Sequence, residues 1–161
     1  ADGSSLARAV HDVATAVGSY GMVGGQHVDL EAAAGVVDAE TLNYIQTRKT
    51  GALFTVASTI GGTLLKAEPV LLEAVGRFGR DLGMAYQIVD DLLDCEGDPS
   101  VMGKDVGMDG GKATYVNVHG ADAARRSAER LAADAARALD PLPGDTELLR
   151  GIATYCLNRA S

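Results

Sequence analysis

The sequence predicts an all-α protein built as a helical bundle, and three observations carry that expectation. Apolar residues recur at helical spacing in every long segment, and no run alternates with the period of two that a half-buried strand requires. Ala, Leu, Val and Gly dominate, aromatics are only 4% of the chain and Trp is absent, which favours close-packed helices over a β-sandwich. The stretch from Gly83 to Asp94 reads as a helix apolar over most of its circumference, the pattern of a helix buried among others.

The elements follow in order. Residues 3–20 place Leu6, Val10, Val13 and Val17 at helical spacing. The small-residue segment Gly21-Met22-Val23-Gly24-Gly25-Gln26 predicts a close helix contact or a break. Asp38 is placed to cap a helix running from about Ala39 to Ile60, with Gly61-Gly62 as its stop. Pro69 suits a first helical turn. From it a long helical pattern reaches Cys95, interrupted by Gly76, Gly79 and Gly83. Glycine there lowers helix propensity, so close helix–helix approach or a kink is expected. Residues 96–112 read as the one long loop, and a short helix is expected near Ala113. Residues 121–138 form an Ala/Arg amphipathic helix with Arg125, Arg126, Arg130 and Arg137 on a solvated face, Pro141-Leu142-Pro143-Gly144 a turn, and 145–159 a last helix.

At 161 residues the chain is one domain's worth, large enough for a real core, and 47% hydrophobic with 22% charged residues is a globular composition. A net charge of −8 argues against a nucleic-acid partner. It also disfavours a phosphorylated substrate unless a metal or local lysines reverse the field. No apolar run reaches the roughly 20 residues that span a bilayer, and no signal peptide is visible. Cys95 and Cys156 make neither a ligand spacing nor a disulfide framework, and read as reduced thiols of a cytoplasmic protein.

The acidic stretch carries the most chemistry. With about 100° per residue and Asp90 at zero, Asp94 falls at about 40°, Gln87 at about 60° and Asp91 at about 100°. Ile88, Val89, Leu92, Leu93 and Tyr86 occupy the rest of the surface. Three adjacent carboxylates on a buried helix repel one another and are desolvated, so they need compensation. A divalent cation supplies it, and an oxygen-only acidic face suits magnesium, which completes its shell with waters and phosphate oxygens. The competing reading is a solvated acidic face, which the flanking Met-Ala-Tyr and Ile-Val disfavour.

Only four lysines occur: Lys49, Lys66, Lys104 and Lys112. Lys49-Thr50 offers an ammonium and a hydroxyl to a phosphate oxygen, although a surface lysine is the blander reading. Lys104 and Lys112 sit eight residues apart in a glycine-rich stretch directly after the acidic helix, placed to bring charge to an anion held by a metal. The stretch is not a nucleotide P-loop, because Ala113 follows Lys112, and the Asp90–Asp98 spacing is not that of an EF-hand. His11, His27 and His119 form no motif, and no Ser or Cys nucleophile has a recognisable base nearby.

Together these segments resemble the trans-isoprenyl diphosphate synthases, the polyprenyl synthetase family. Four blocks fit in order: Gly24 to Leu30, Lys49 to Leu53, Gln87 to Asp94, and Gly103-Lys104 through Gly111-Lys112 to Tyr115. The third is similar to that family's second aspartate-rich motif. The resemblance implies a helical bundle of the isoprenoid synthase type, with magnesium as cofactor and an allylic diphosphate and isopentenyl diphosphate as substrates. Ionisation, condensation and elimination would give a linear prenyl diphosphate. It implies Asp90, Asp91 and Asp94 as metal-facing residues, and Asp90, Asp91, Lys49 and Lys104 as the catalytic set. Lys49, Lys104 and Lys112 would hold the allylic diphosphate, with Thr50 and Gln87 in support and Gln26 lining the site.

The family's first aspartate-rich motif and its paired arginines have no counterpart here: Asp2 and Asp12 stand alone, and Arg125-Arg126 follows the blocks. The chain 1–161 is therefore expected to be the C-terminal half of the fold, a single all-helical domain portion. It should act with a second chain or fragment that supplies the first motif, in a dimeric assembly, and should expose an apolar groove where the absent helices pack. Three other readings stand beside it: a non-catalytic regulatory subunit of a prenyl diphosphate synthase, a terpene cyclase half, and a plain helical scaffold.

Overall fold

The computed structural model describes residues 2–32, 37–97 and 114–159, and within these it is helical with no strand. Eight α-helices follow one another: α1 (Gly3–Val17), α2 (Met22–Ala32), α3 (Ala39–Ile45), α4 (Ala52–Leu64), α5 (Pro69–Gly97), α6 (Tyr115–His119), α7 (Ala121–Ala138) and α8 (Glu147–Asn158). Between α3 and α4 the chain continues without a break through a π-helical turn, Gln46–Gly51.

The long helix α5 is the axis of the bundle. Phe78, Leu82 and Ala85 on it pack with Ala132, Ala135 and Leu139 at the end of α7 and with Ala153 and Cys156 on α8. One turn further on, Ile88, Val89 and Leu92 meet Ala124 and Ala128 of α7 and Val116 of α6. Alanine at every buried position of α7 lets its backbone come close to α5, and the arginines take the outer face. The opposite side of α5 is covered by α4, where glycine permits the contact. A Cβ on Gly79 would lie 2.5 Å from Ser58 Oγ and 2.6 Å from the Phe54 carbonyl oxygen, and one on Gly83 2.9 Å from Phe54 Cβ. Gly79 and Gly83 therefore serve close approach, within one continuous helix.

Local signals set most helix ends. Asp38 caps α3 by accepting from the Thr41 N–H at 2.8 Å, and Thr114 caps α6 through the Asn117 N–H at 3.1 Å. Gly120, at φ 83°, makes the corner between α6 and α7 in a conformation that favours glycine. One boundary differs from expectation: the helix does not stop at Gly61-Gly62 but runs to Leu64. Gly62 is instead a packing position, since a Cβ there would meet Leu72 Cδ2 at 2.7 Å. The stop comes later, where Lys66 adopts the left-handed conformation (φ 55°) and Ala67 N–H donates to Gly62 O while Lys66 N–H donates to Thr63 O. That pair of bonds is a Schellman closure with lysine where glycine usually stands. The first helix also ends earlier than expected, at Val17, and the acidic helix extends to Gly97.

Candidate functional site

Three elements bring the chemistry together. The π turn carries Lys49 and Thr50, α2 carries Asp29, and α5 carries Gln87 and Asp91. A π turn inserts one residue into the helical register, so its side chains leave the face that an α-helix would give them. Gly25 of α2 lets the turn be approached closely: a Cβ there would lie 2.4 Å from the Lys49 backbone nitrogen. As a result Lys49 Nζ donates to Asp29 Oδ2 at 2.6 Å. Thr50 Oγ1 donates to Gln87 Oε1 at 3.0 Å, and Gln87 Nε2 donates to Asp91 Oδ1 at 3.1 Å. The other Asp91 oxygen accepts from the Tyr115 backbone N–H at 2.7 Å, which docks the start of α6 on α5.

The expected acids separate into two environments. Asp91 is only 4% exposed, enclosed by its hydrogen bonds. Asp90 has a half-exposed side chain whose Oδ1 lies 3.8 Å from Arg159 Nη2, while the Arg159 guanidinium stacks 4.1 Å over the Tyr86 ring. Asp94 is exposed one turn beyond Asp90. Among the described residues, no three His, Cys, Asp or Glu side chains converge into a set that could hold a metal ion, so the expected trio of Asp90, Asp91 and Asp94 is not assembled as one ligand cluster. The reason is angular: Asp91 lies about 100° round the helix from Asp90, turned toward the π turn, whereas Asp90 and Asp94 share a face at i, i+4. Two carboxylates on a solvent-facing helix surface still fit magnesium, which takes one or two from the protein and fills its octahedron with water and phosphate oxygens.

Lys49, Thr50, Gln87 and Asp91 are thus brought together, with Asp29 added. Gln26 is half-buried on α2 and does not line the small cavity between these residues. Lys104 and Lys112 lie outside the described residues. The residues expected from sequence leave out Asp29, although it stands in the first matching block, and also Gln46, Arg159 and the Tyr115 N–H. Gln46, three residues before Lys49, carried a usable signal as an amide inside an apolar helical face. Arg159 and a backbone N–H carried none. Cys95 and Cys156 are free thiols, and burial pushes the Cys156 thiol up from its ordinary value.

Residues 5–140 match the polyprenyl synthetase family model. The chain belongs to the polyprenyl synthetase family. It is 35% identical over 157 residues to a dimethylallyltranstransferase of Fischerella ambigua (strain UTEX 1903), covering 96% of this chain and 45% of that protein. It is 36% identical over 160 residues to the farnesyl diphosphate synthase of Escherichia coli (strain K12), covering 93% of this chain and 52% of that one. The fold matches the apo crystal structure of an FPP/GFPP synthase from Zymomonas mobilis with a TM-score of 0.85 at 34% identity, over 96% of this chain and 52% of that one. The chain thus spans about half the length of the curated relatives it matches. No described helix is long and apolar enough to cross a membrane.

Proposed function

We propose that this chain is the C-terminal part of a prenyltransferase that joins an allylic diphosphate to isopentenyl diphosphate and releases a linear prenyl diphosphate. The observation that carries the reading is that Lys49, Thr50, Gln87 and Asp91 line one small cavity, with the half-exposed Asp90 and the exposed Asp94 next to it on the same helix. Relatives named farnesyl diphosphate synthase and geranylgeranyl diphosphate synthase support the reaction class.

In this reading Asp90 and Asp94 hold magnesium, directly or through water, and Asp91 supports that face from within. Bound there, magnesium supplies positive charge to the diphosphate oxygens. The Lys49 ammonium has three N–H donors, of which one goes to Asp29, leaving capacity for a diphosphate oxygen. Lys104 and Lys112 would add charge to the same anion, with Thr50 and Gln87 holding the orientation and Gln26 at the margin. The allylic C–O bond breaks, its electron pair leaves with the diphosphate, and the alkene of isopentenyl diphosphate forms the new carbon–carbon bond. The proton then lost passes to the departing diphosphate. The apolar surface of α5 and α4 keeps water from the cation.

The remaining half of the site, with the first aspartate-rich motif, would come from a second chain or segment. The test is condensation in the complex reconstituted with that segment, measured against magnesium concentration. Asp90→Ala together with Asp94→Ala should lower the rate by at least about a hundredfold, the scale of losing electrostatic stabilisation of a leaving anion. Full activity in that variant would end the reading. A regulatory subunit is the second reading, favoured by the internal neutralisation of Lys49 by Asp29 and of Asp90 by Arg159. It requires the same variant to leave the rate intact and the product distribution little changed.

A further inference from the structure

A cavity of about 50 Å³ lies among Asp29, Lys49, Thr50, Gln87 and Asp91, closed on one side by Leu42 and Ile45. Its remaining wall is Gln46, which is 3% exposed, and neither its Nε2 nor its Oε1 meets a hydrogen-bond partner in the protein. A buried amide with both ends unmatched is rare, because each end loses its water without replacement. One probe sphere needs about 10–15 Å³, so the space admits at least one water, and the wall offers it several polar partners. A cation would serve only Oε1 and would face the Lys49 ammonium. A water serves both ends, donating to Oε1 and accepting from Nε2.

We infer that this cavity is a buried-water site, and that Gln46 is a positioning residue which through that water ties the Lys49–Asp29 pair to the Gln87–Asp91 pair. The π turn explains why the amide is there, since Gln46 is its first residue and points into the bundle with Ile45 and Leu42. Lys49, three residues on, then has one N–H on Asp29 and a second on the water, which fixes the direction of the third. The consequence for ligand binding rests on the proposed diphosphate site; the water itself does not.

The experiment is a crystal structure of the protein and of Gln46→Met, at a resolution that shows ordered waters, with calorimetric titration of magnesium pyrophosphate into both. The wild type should show water within hydrogen-bond distance of both Gln46 amide atoms. Gln46→Met should lose that water and release Lys49 from Asp29, with unchanged helicity. Magnesium pyrophosphate should bind the Met variant on the order of tenfold more weakly, as when a supporting group behind a ligand is removed. Gln46→Asn, which keeps an amide and leaves room for a further water, should return most of the affinity. An empty wild-type cavity overturns the inference, and so does a Lys49–Asp29 pair unmoved in Gln46→Met. A wild type that does not bind magnesium pyrophosphate sinks the diphosphate reading instead, while the water and the Lys49 geometry still decide this one.

Discussion

Asp90 and Asp91 are neighbours in sequence with different physical roles. The buried Asp91 carboxylate accepts from Gln87 and from the Tyr115 N–H, so Asp91→Ala strands two part-buried donors. That loss costs about 1–3 kcal/mol per unsatisfied group, and the urea midpoint should fall accordingly. Asp90→Ala removes only a 3.8 Å contact from a half-exposed side chain, and the midpoint should stay within about 0.5 kcal/mol of the parent. Equal losses in the two variants would contradict the division. Asp81 gives a pH signature. Burial raises its pKa above the ordinary carboxylate value against the pull of Arg80, and Asp134 adds to the rise. The folded state then holds that proton more tightly than the unfolded chain, so this group's contribution falls as pH rises from about 4 through the raised value. Asp81→Asn should therefore raise the melting temperature at pH 7, and the gain should shrink toward pH 4. At this scale the sequence grouped Lys49, Thr50, Gln87 and the acids in one expected site, and the structure places Lys49, Thr50, Gln87 and Asp91 around one small cavity. The sequence did not show which acid is buried, because the partner that buries Asp91 is a backbone N–H 24 residues away.

Helices whose ends rest on local chemistry were legible element by element. Asp38 caps as expected and residues 121–138 form the expected helix, because cap and periodicity are short-range signals. Two features were not legible. Glycines at 61 and 62 look like a stop, yet one of them makes room for Leu72, and nothing adjacent in sequence reveals that neighbour. The π turn is likewise invisible, because Gln46–Gly51 has ordinary helical composition and its extra residue is stabilised by α2 and α5 packing around it. Glycine roles on α5 can be separated by mutation. Gly79→Ala would drive a Cβ into Ser58 and the Phe54 carbonyl, forcing α4 and α5 apart at about 1–3 kcal/mol. Gly76→Ala meets only Thr59 Cγ2 at 3.4 Å and should instead gain about 0.5–1 kcal/mol from the stiffer backbone. Thermal melts of the two variants should move in opposite directions, and parallel shifts would mean that α4 does not hold α5 so closely.

For the molecule as a whole, α1 and α4 expose what a finished bundle hides. α1 buries Ser5, Ala9 and Ala16 while Leu6, Val10, Val13 and Val17 face outward, so its small residues are inside and its large apolar ones outside. α4 carries no charged residue, its hydroxyls at Thr55, Ser58 and Thr59 turn back onto backbone carbonyls, and none of its residues is fully buried. Between the two, Leu6, Val10, Val13 and Val17 with Ile60 and Leu64 line an apolar groove of about 480 Å³. Each such side chain gains roughly 1.5–3 kcal/mol on full burial, so an uncovered face of this kind drives association. The chain spans about half of its relatives, and the proposed occupant is the helical segment that would supply the first aspartate-rich motif. Without it, a second copy of this chain is the available cover. Sedimentation of the isolated protein should therefore give a mass above the 16.6 kDa of one chain. Val10→Glu with Val13→Glu should return it to 16.6 kDa with helicity intact, because both side chains already face outward. Adding the complementary segment to the wild type should dissolve the self-association in favour of a mixed complex, since the two compete for one face. A wild type that sediments as one chain would mean that the groove needs no cover, and the two-part reading of the protein would lose its structural support.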